Sequence, residues 1–277
     1  MYHLPEALMY WLRKRLLSQN FLTNRQLIKK LIRGSSIGKN DLVLEIGAGS
    51  GVITNELLQV AGQVVAIELD PKLYAKLRSR FVTNPRLQLV QSDFLGCPLP
   101  RKPYKVFSNI PFSITADVIR KLLVPLNPPL DCYLVMQSQA AEKFTINSTA
   151  NSMAAVLYYP WWKFEVVHKF SPLDFYPRPS VDSVLLHICP RPTPLVSENP
   201  SLYRDFVVHS FTTDKKAKFL PVNQWLYQFN HLSPKKIKLV QSSFAKYLKS
   251  QQLLSKIHRT RTDSNWRQFK KSSLTFQ

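Results

Sequence analysis

Short apolar runs rich in β-branched residues alternate with segments of helical periodicity over the first two-thirds of the chain. Leu42–Leu44, Val64–Ile67, Leu87–Val90, Tyr104–Phe107 and Tyr133–Met136 carry the strand pattern. Between them, Val52–Val60, Pro71–Phe81 and Ile114–Leu123 place apolar residues at helical spacing, and Asp70 followed by Pro71 makes a good helix start. Strands separated by single helices pair in parallel through right-handed crossovers, so the pattern predicts a doubly wound α/β sheet. Two more strands are expected at Phe164–Phe170 and Ser183–Ile188, and Pro172, Pro177 and Pro179 are expected to exclude helix between them.

The texture changes at Cys189-Pro190-Arg191-Pro192-Thr193-Pro194, a stiff connector that divides residues 1–190 from 191–277. Beyond it, strand patterns give way to basic amphipathic segments, and helices are expected at Leu202–Phe211, Pro234–Tyr247 and Asn265–Lys271. With 277 residues, 45% of them hydrophobic, the chain can bury a substantial core. No apolar run approaches the ~20 residues that span a bilayer. The first 17 residues, amphipathic and basic at Arg13, Lys14 and Arg15, lack the pattern of a secretory signal. Their single acid, Glu6, leaves organelle targeting open, but a soluble cytoplasmic protein is the expectation. Cys97, Cys132 and Cys189 lie far apart and at no metal-ligand spacing, which argues against both disulfides and structural zinc.

Charge adds a partner. The chain carries 38 Lys and Arg against 17 Asp and Glu, a net +21. From Pro190 onward there are 16 bases and 4 acids, against 22 and 13 in the preceding 189 residues. Such an excess favours a polyanion, because each phosphate neutralised releases counterions.

The sharpest local signal is Leu42-Val43-Leu44-Glu45-Ile46-Gly47-Ala48-Gly49-Ser50-Gly51, an apolar strand running into glycines and then a helix. Glycines allow a tight turn and a close backbone approach, and a ligand sits at the strand's carboxyl end. The spacing is Gly-x-Gly-x-Gly, which disfavours a nicotinamide dinucleotide. Glu68 ends the second strand, where a carboxylate accepts hydrogen bonds from ribose hydroxyls. Asp93 follows the third, within reach of an adenine amino group. Together these features describe an adenosine site. Glu45 is either a further acid on the ligand side or a group that orients the loop, the second being preferred.

After the fourth strand comes Ser108-Asn109-Ile110-Pro111-Phe112. An Asn-x-Pro-aromatic element here is similar to the active-site motif of enzymes that methylate exocyclic amines of bases. With Ser18-Gln19-Asn20-Phe21-Leu22 and Phe175-Tyr176-Pro177-Arg178-Pro179-Ser180-Val181-Asp182-Ser183, the chain resembles the ribosomal RNA adenine N6-methyltransferase family. The flanking Ile114-Thr115 and Ile119-Arg120-Lys121 resemble its Erm branch more than its KsgA branch. The resemblance implies a Rossmann-like class I methyltransferase domain over residues 1–190, with a mostly parallel seven-stranded sheet. It also implies a small basic helical RNA-binding domain over 191–277. The implied cofactor is S-adenosyl-L-methionine, contacted by Gln19, Asn20, Leu22, Gly47, Ala48, Gly49, Glu68, Leu69, Asp93, Phe94 and Asn109. The implied substrate of the Erm branch is an adenine of 23S rRNA, whose dimethylation gives macrolide–lincosamide–streptogramin B resistance. No obligatory protein partner is evident, and a monomer is expected.

An adenine amino nitrogen is a poor nucleophile because its lone pair is delocalised into the ring. Two acceptors on its N–H groups draw it toward a tetrahedral geometry. Asn109 through its side-chain oxygen, and the carbonyl of Ile110 or Pro111, are the candidates, with Pro111 fixing the turn. A methyl on a sulfonium needs positioning more than a strong base. Phe112 is the candidate for stacking on the flipped-out base, although the family usually has Tyr there. Three alternatives stand beside this reading. One is adenine dimethylation of 16S rRNA for ribosome maturation, and another a non-catalytic RNA-binding or transcription accessory. The third, DNA adenine methylation, is disfavoured because Ile110 stands where those enzymes usually place Pro.

Overall fold

The structure is a computed structural model that describes residues 20–124 and 127–251. Gln19, Arg13 to Arg15 and the helix expected at Asn265–Lys271 therefore lie outside the described residues. The chain divides into two compact units: residues 1–145 with 162–192, and residues 146–161 with 193–277. Residues 146–161, which the sequence pattern leaves inside the first segment, thus belong to the second unit.

The first unit is built on a seven-stranded sheet of order β4-β3-β2-β5-β6-β9-β7. Its strands are β2 (Leu42–Ile46), β3 (Gln63–Glu68), β4 (Leu87–Gln91), β5 (Lys105–Asn109), β6 (Asp131–Gln137), β7 (Trp162–Phe170) and β9 (Ser183–Pro190). Strands β2 to β6 pair in parallel, as the alternating pattern predicts, while β9 runs antiparallel between β6 and β7. Residues such as Val43, Leu44, Val64, Ala66, Val106 and Leu134 are buried along both faces, which is why their runs are continuously apolar.

The crossover helices are α2 (Val52–Val60), α3 (Pro71–Arg80) and α4 (Thr115–Leu123). Asp70 caps α3 as expected, its carboxylate accepting from Lys72 N at 2.7 Å and Leu73 N at 3.2 Å. Preceding the sheet are a two-residue strand β1 (Phe21–Leu22) and helix α1 (Arg25–Arg33); short helix α5 (Ser138–Glu142) follows β6. β1 pairs antiparallel with β8 (Phe175–Tyr176) in a separate ribbon, Phe21 opposite Tyr176 and Leu22 opposite Phe175. The expected exclusion of helix between β7 and β9 is overturned by a short 3₁₀ turn at Pro172–Asp174, which tolerates Pro172 because its first position needs no backbone N–H.

The second unit contains α6 (Met153–Tyr158), α7 (Pro200–Thr213), α8 (Val222–Asn230) and α9 (Pro234–Val240). Its centre is aromatic: Trp225 is buried and stacks on Phe211 with ring centroids 5.2 Å apart, and Phe206 meets Trp225 obliquely at 5.5 Å. Tyr203 of α7 donates to the carbonyl of Val156 in α6 at 3.0 Å, which anchors the 146–161 segment. The single helix expected over Pro234–Tyr247 is broken. α9 ends at Val240, Ser242 takes a positive φ of 67°, and helix resumes at 243. The Asp205 carboxylate caps the new start, accepting from Ser242 N at 3.1 Å and Phe244 N at 2.7 Å.

Candidate active site

The site is assembled at the carboxyl ends of β2, β3, β4 and β5. The turn after β2 bends back through Gly47, Gly49 and Gly51, with φ of 73°, 57° and 76°. Those left-handed values strain any residue with a side chain. Gly49 is hemmed in as well, since a Cβ there would stand 2.9 Å from Cε1 of Phe21. The hollow over this turn is lined by Phe21, Leu22, Gly47, Ala48, Gly49 and Asn109, among others. Of the residues singled out in the sequence, Leu22, Gly47, Ala48, Gly49 and Asn109 are therefore brought together around one hollow.

Glu68, buried at the end of β3, reaches the same turn. Its Oε2 accepts from Gly49 N at 2.7 Å and its Oε1 from Asp70 N at 2.8 Å. Burial raises its pKa above the ordinary carboxylate value, against the opposing pull of those two backbone N–H groups. Each oxygen of a carboxylate keeps a second acceptor position, so the group retains capacity for a diol. Leu69 beside it is exposed. Asp93 follows β4 and caps a 3₁₀ turn, Phe94–Gly96, by accepting from Leu95 N at 2.9 Å; Phe94 is buried. Glu45 does not line the hollow. It is 1% exposed and accepts from the Thr54 hydroxyl at 2.6 Å, tying β2 to α2.

Asn109 closes β5. Its Nδ2 donates to the carbonyl of Asn20 at 2.7 Å, which commits the amide nitrogen and leaves Oδ1 as the acceptor. Next to it, Ile110 is buried, and Pro111 and Phe112 are half-buried where the chain enters a 3₁₀ turn. The Pro111 carbonyl already accepts from Ile114 N at 3.1 Å, so the Ile110 carbonyl is the less committed acceptor.

Three contributors escaped the sequence reading. Ser108 donates to the Ile46 carbonyl at 2.5 Å and accepts from Ile46 N at 3.2 Å, locking β5 against the start of the glycine turn. Lys121 of α4 donates to the carbonyls of Phe94 at 2.6 Å, Leu95 at 3.0 Å and Cys97, and lies over the Phe94 ring. Asp174 holds the residues just after β1. Ser108 and Lys121 sit inside quoted motifs, but nothing in their spacing announces these contacts.

The donor set suits a nucleoside carrying a charged amino-acid tail. It offers a glycine turn without side chains, a buried carboxylate at the end of the next strand, and an acid and an apolar ring on the third. A model of the family described as ribosomal RNA adenine dimethylase matches residues 12–260. An rRNA adenine N-6-methyltransferase of Bacteroides fragilis is 34% identical over 222 residues, covering 80% of this chain and 77% of its own. A ribosomal RNA small subunit methyltransferase A of Prosthecochloris aestuarii is 32% identical over 237 residues, covering 83% and 89%. Among solved structures, the 23S rRNA methyltransferase ErmE superposes with a TM-score of 0.68 at 26% identity, covering 76% of this chain and 98% of that one.

Proposed function

Since this chain belongs to the ribosomal RNA adenine dimethylase family, we propose that its target is an adenine of 23S rRNA and that two methyl groups are transferred to it. The coarser activity, S-adenosylmethionine-dependent N6-methylation of rRNA adenine, is that of the family and of this chain. The choice of 23S is supported by the likeness to ErmE, 98% of whose length is covered. The residues flanking Asn109–Phe112 support it too, because they resemble the Erm branch. Macrolide–lincosamide–streptogramin B resistance is the phenotype that this reading assigns. The relatives of the small-subunit class favour 16S rRNA as the second reading.

The cofactor supplies a methyl group on a sulfonium, which is already a good leaving group. In the proposed site the glycine turn accepts its amino-acid end, Glu68 its ribose hydroxyls, and Asp93 with Phe94 its adenine. Leu22, Ala48 and Leu69 give apolar cover, and Asn20 approaches through its backbone. Gln19 is assigned to the same site by its position beside Asn20. For the first transfer Asn109 Oδ1 and the Ile110 carbonyl would accept from the two N–H bonds of the target amine. For the second, one of them would accept from the N–H that remains, so that the lone pair is turned toward the methyl carbon. Pro111 fixes the direction of that carbonyl, and Phe112 stacks on the unstacked base, worth ~1–3 kcal/mol. No general base would be required before transfer, because the alkylated amine, now cationic and acidic, would pass its surplus proton to solvent water afterwards.

The observation that carries the mechanism is the committed orientation of the Asn109 amide. Asn109→Ala is expected to lower kcat by roughly 10²-fold or more while cofactor affinity changes little. The assay uses labelled S-adenosylmethionine with protein-free 23S and 16S rRNA in parallel, followed by mapping of the modified base. Label at one adenine of 23S rRNA supports the proposal. Label confined to 16S rRNA moves the enzyme to ribosome maturation, and full activity in the alanine variant defeats the lone-pair mechanism.

A further inference from the structure

We propose that Asp174 is a positioning residue for methyl transfer, acting through β1 on the amide of Asn109. The inference rests on the reading of Asn109 as the acceptor for the target amine, and it adds a residue from a distant part of the chain.

A two-residue ribbon such as β1 with β8 has little stability of its own. What holds β1 is the turn before β8. The Asp174 carbonyl accepts from Thr23 N at 2.8 Å and from the Thr23 hydroxyl at 3.1 Å. Its carboxylate divides its oxygens: Oδ1 accepts from Asn24 Nδ2 at 2.8 Å and Oδ2 from Ser171 N at 2.9 Å. Asp174 is 8% exposed, so these bonds form with little competition from water. Asn24 is divided in the same way, its Oδ1 accepting from Leu27 N at 3.1 Å to cap α1. The Asn24–Asp174 pair thus joins the cap of α1 to the turn before β8, with the end of β1 between them.

At the other end of β1, the Asn20 carbonyl receives Nδ2 of Asn109 at 2.7 Å. Phe21 between them is pressed against the glycine turn at Gly49. Extended chain has little slack, at about 3.3 Å per residue, so a displacement at Thr23 and Asn24 is passed on to the Asn20 carbonyl. The consequence is chemical. The terminal torsion of an Asn side chain is broad and roughly two-fold. Without the Asn20 carbonyl to hold Nδ2, the amide turns over and offers a donor to an amine that requires an acceptor. Asp174 therefore selects which end of the Asn109 amide faces the reacting nitrogen.

The test exchanges donor and acceptor. Asn24→Asp keeps an oxygen to cap Leu27 N, so α1 retains its start, but it removes the donor and sets two carboxylates face to face. Asp174→Asn leaves one amide oxygen for two donors. Each is expected to lower kcat roughly tenfold or more at saturating cofactor and RNA, with a smaller change in the KM for cofactor. In the double variant, the new amide at 174 donates to the new carboxylate at 24 while its oxygen still accepts from Ser171 N. It is expected to restore kcat to within about threefold of the starting enzyme. Single variants with unaltered kcat overturn the inference. So does a double variant that regains the starting Tm without regaining kcat, because the pair then only holds the fold. If Asn24→Asp does not fold, Asp174→Asn against the double variant decides the same question. Asn109→Ala is measured alongside: if it remains active, the reading of Asn109 fails, whatever the swap does.

Discussion

Glu45 is a carboxyl group at the heart of the sheet, at the end of an otherwise apolar strand. One oxygen takes the Thr54 hydroxyl, and the other, Oε1, has no hydrogen-bond partner among the described residues. Burial pushes its pKa up to about 8, with a further push from the Glu68 carboxylate and an opposing pull from Thr54. The folded protein therefore keeps this proton up to about pH 8, whereas the unfolded chain releases it near 4.5. Between those values the folded state binds more protons, so stability falls as pH rises. Glu45→Gln removes that dependence. Its Tm, followed from pH 5 to 9, is expected to decline less steeply than that of the unaltered protein, and parallel curves would refute the assignment. The residue scale is also where the sequence is most unevenly legible. Asn109, Glu68 and the glycines stand out because their motifs combine residue type with a strand end. Asp174 does not, since its partner Asn24 is 150 positions away and an Asp before a Phe has no pattern.

Among the elements, α4 does more than bridge two strands. Lys121 presents its ammonium to three carbonyls of the turn that follows Asp93, those of Leu95 and Cys97 and that of Phe94, which also accepts from Cys97 N at 3.1 Å. Burial lowers its pKa despite the nearby Asp93 and Cys97. Lys121→Met keeps the stem's length but leaves those carbonyls without the donor. Cofactor affinity measured by calorimetry is expected to weaken by several-fold, corresponding to about 1–2 kcal/mol, while kcat at saturation holds. An unchanged affinity would detach the turn from the cofactor. At this scale, the crossover helices of the first unit were readable from apolar residues at helical spacing, and its central strands from continuous β-rich apolar runs. β1 has two residues, and α5 and α6 have five and six, too few to establish a period. In α8, Trp225 is buried and Tyr227 exposed, so residue type alone could not say which face is inside.

At the level of the whole molecule, 38 Lys and Arg outnumber 17 Asp and Glu, so the net +21 cannot be neutralised within the chain. The expected consequence is steep salt dependence. RNA affinity, followed by filter binding, should fall about tenfold or more between 50 and 200 mM salt. A flat response would place recognition in uncharged contacts. The Pro-rich connector marks a change of texture in the sequence, but nothing there marks the detour of 146–161, because short helices such as α6 show their allegiance only through what they pack against. That detour bears on how the molecule is born. α6 leaves the ribosome with Val156, Leu157 and Tyr158 uncovered, and its partner α7 is complete only after roughly 50 more residues, some seconds of synthesis at ~5–20 residues per second. Throughout that interval β7, β8 and β9 emerge and are free to finish the sheet, while one loop of it waits, apolar and unpaired, for a part of the message not yet read.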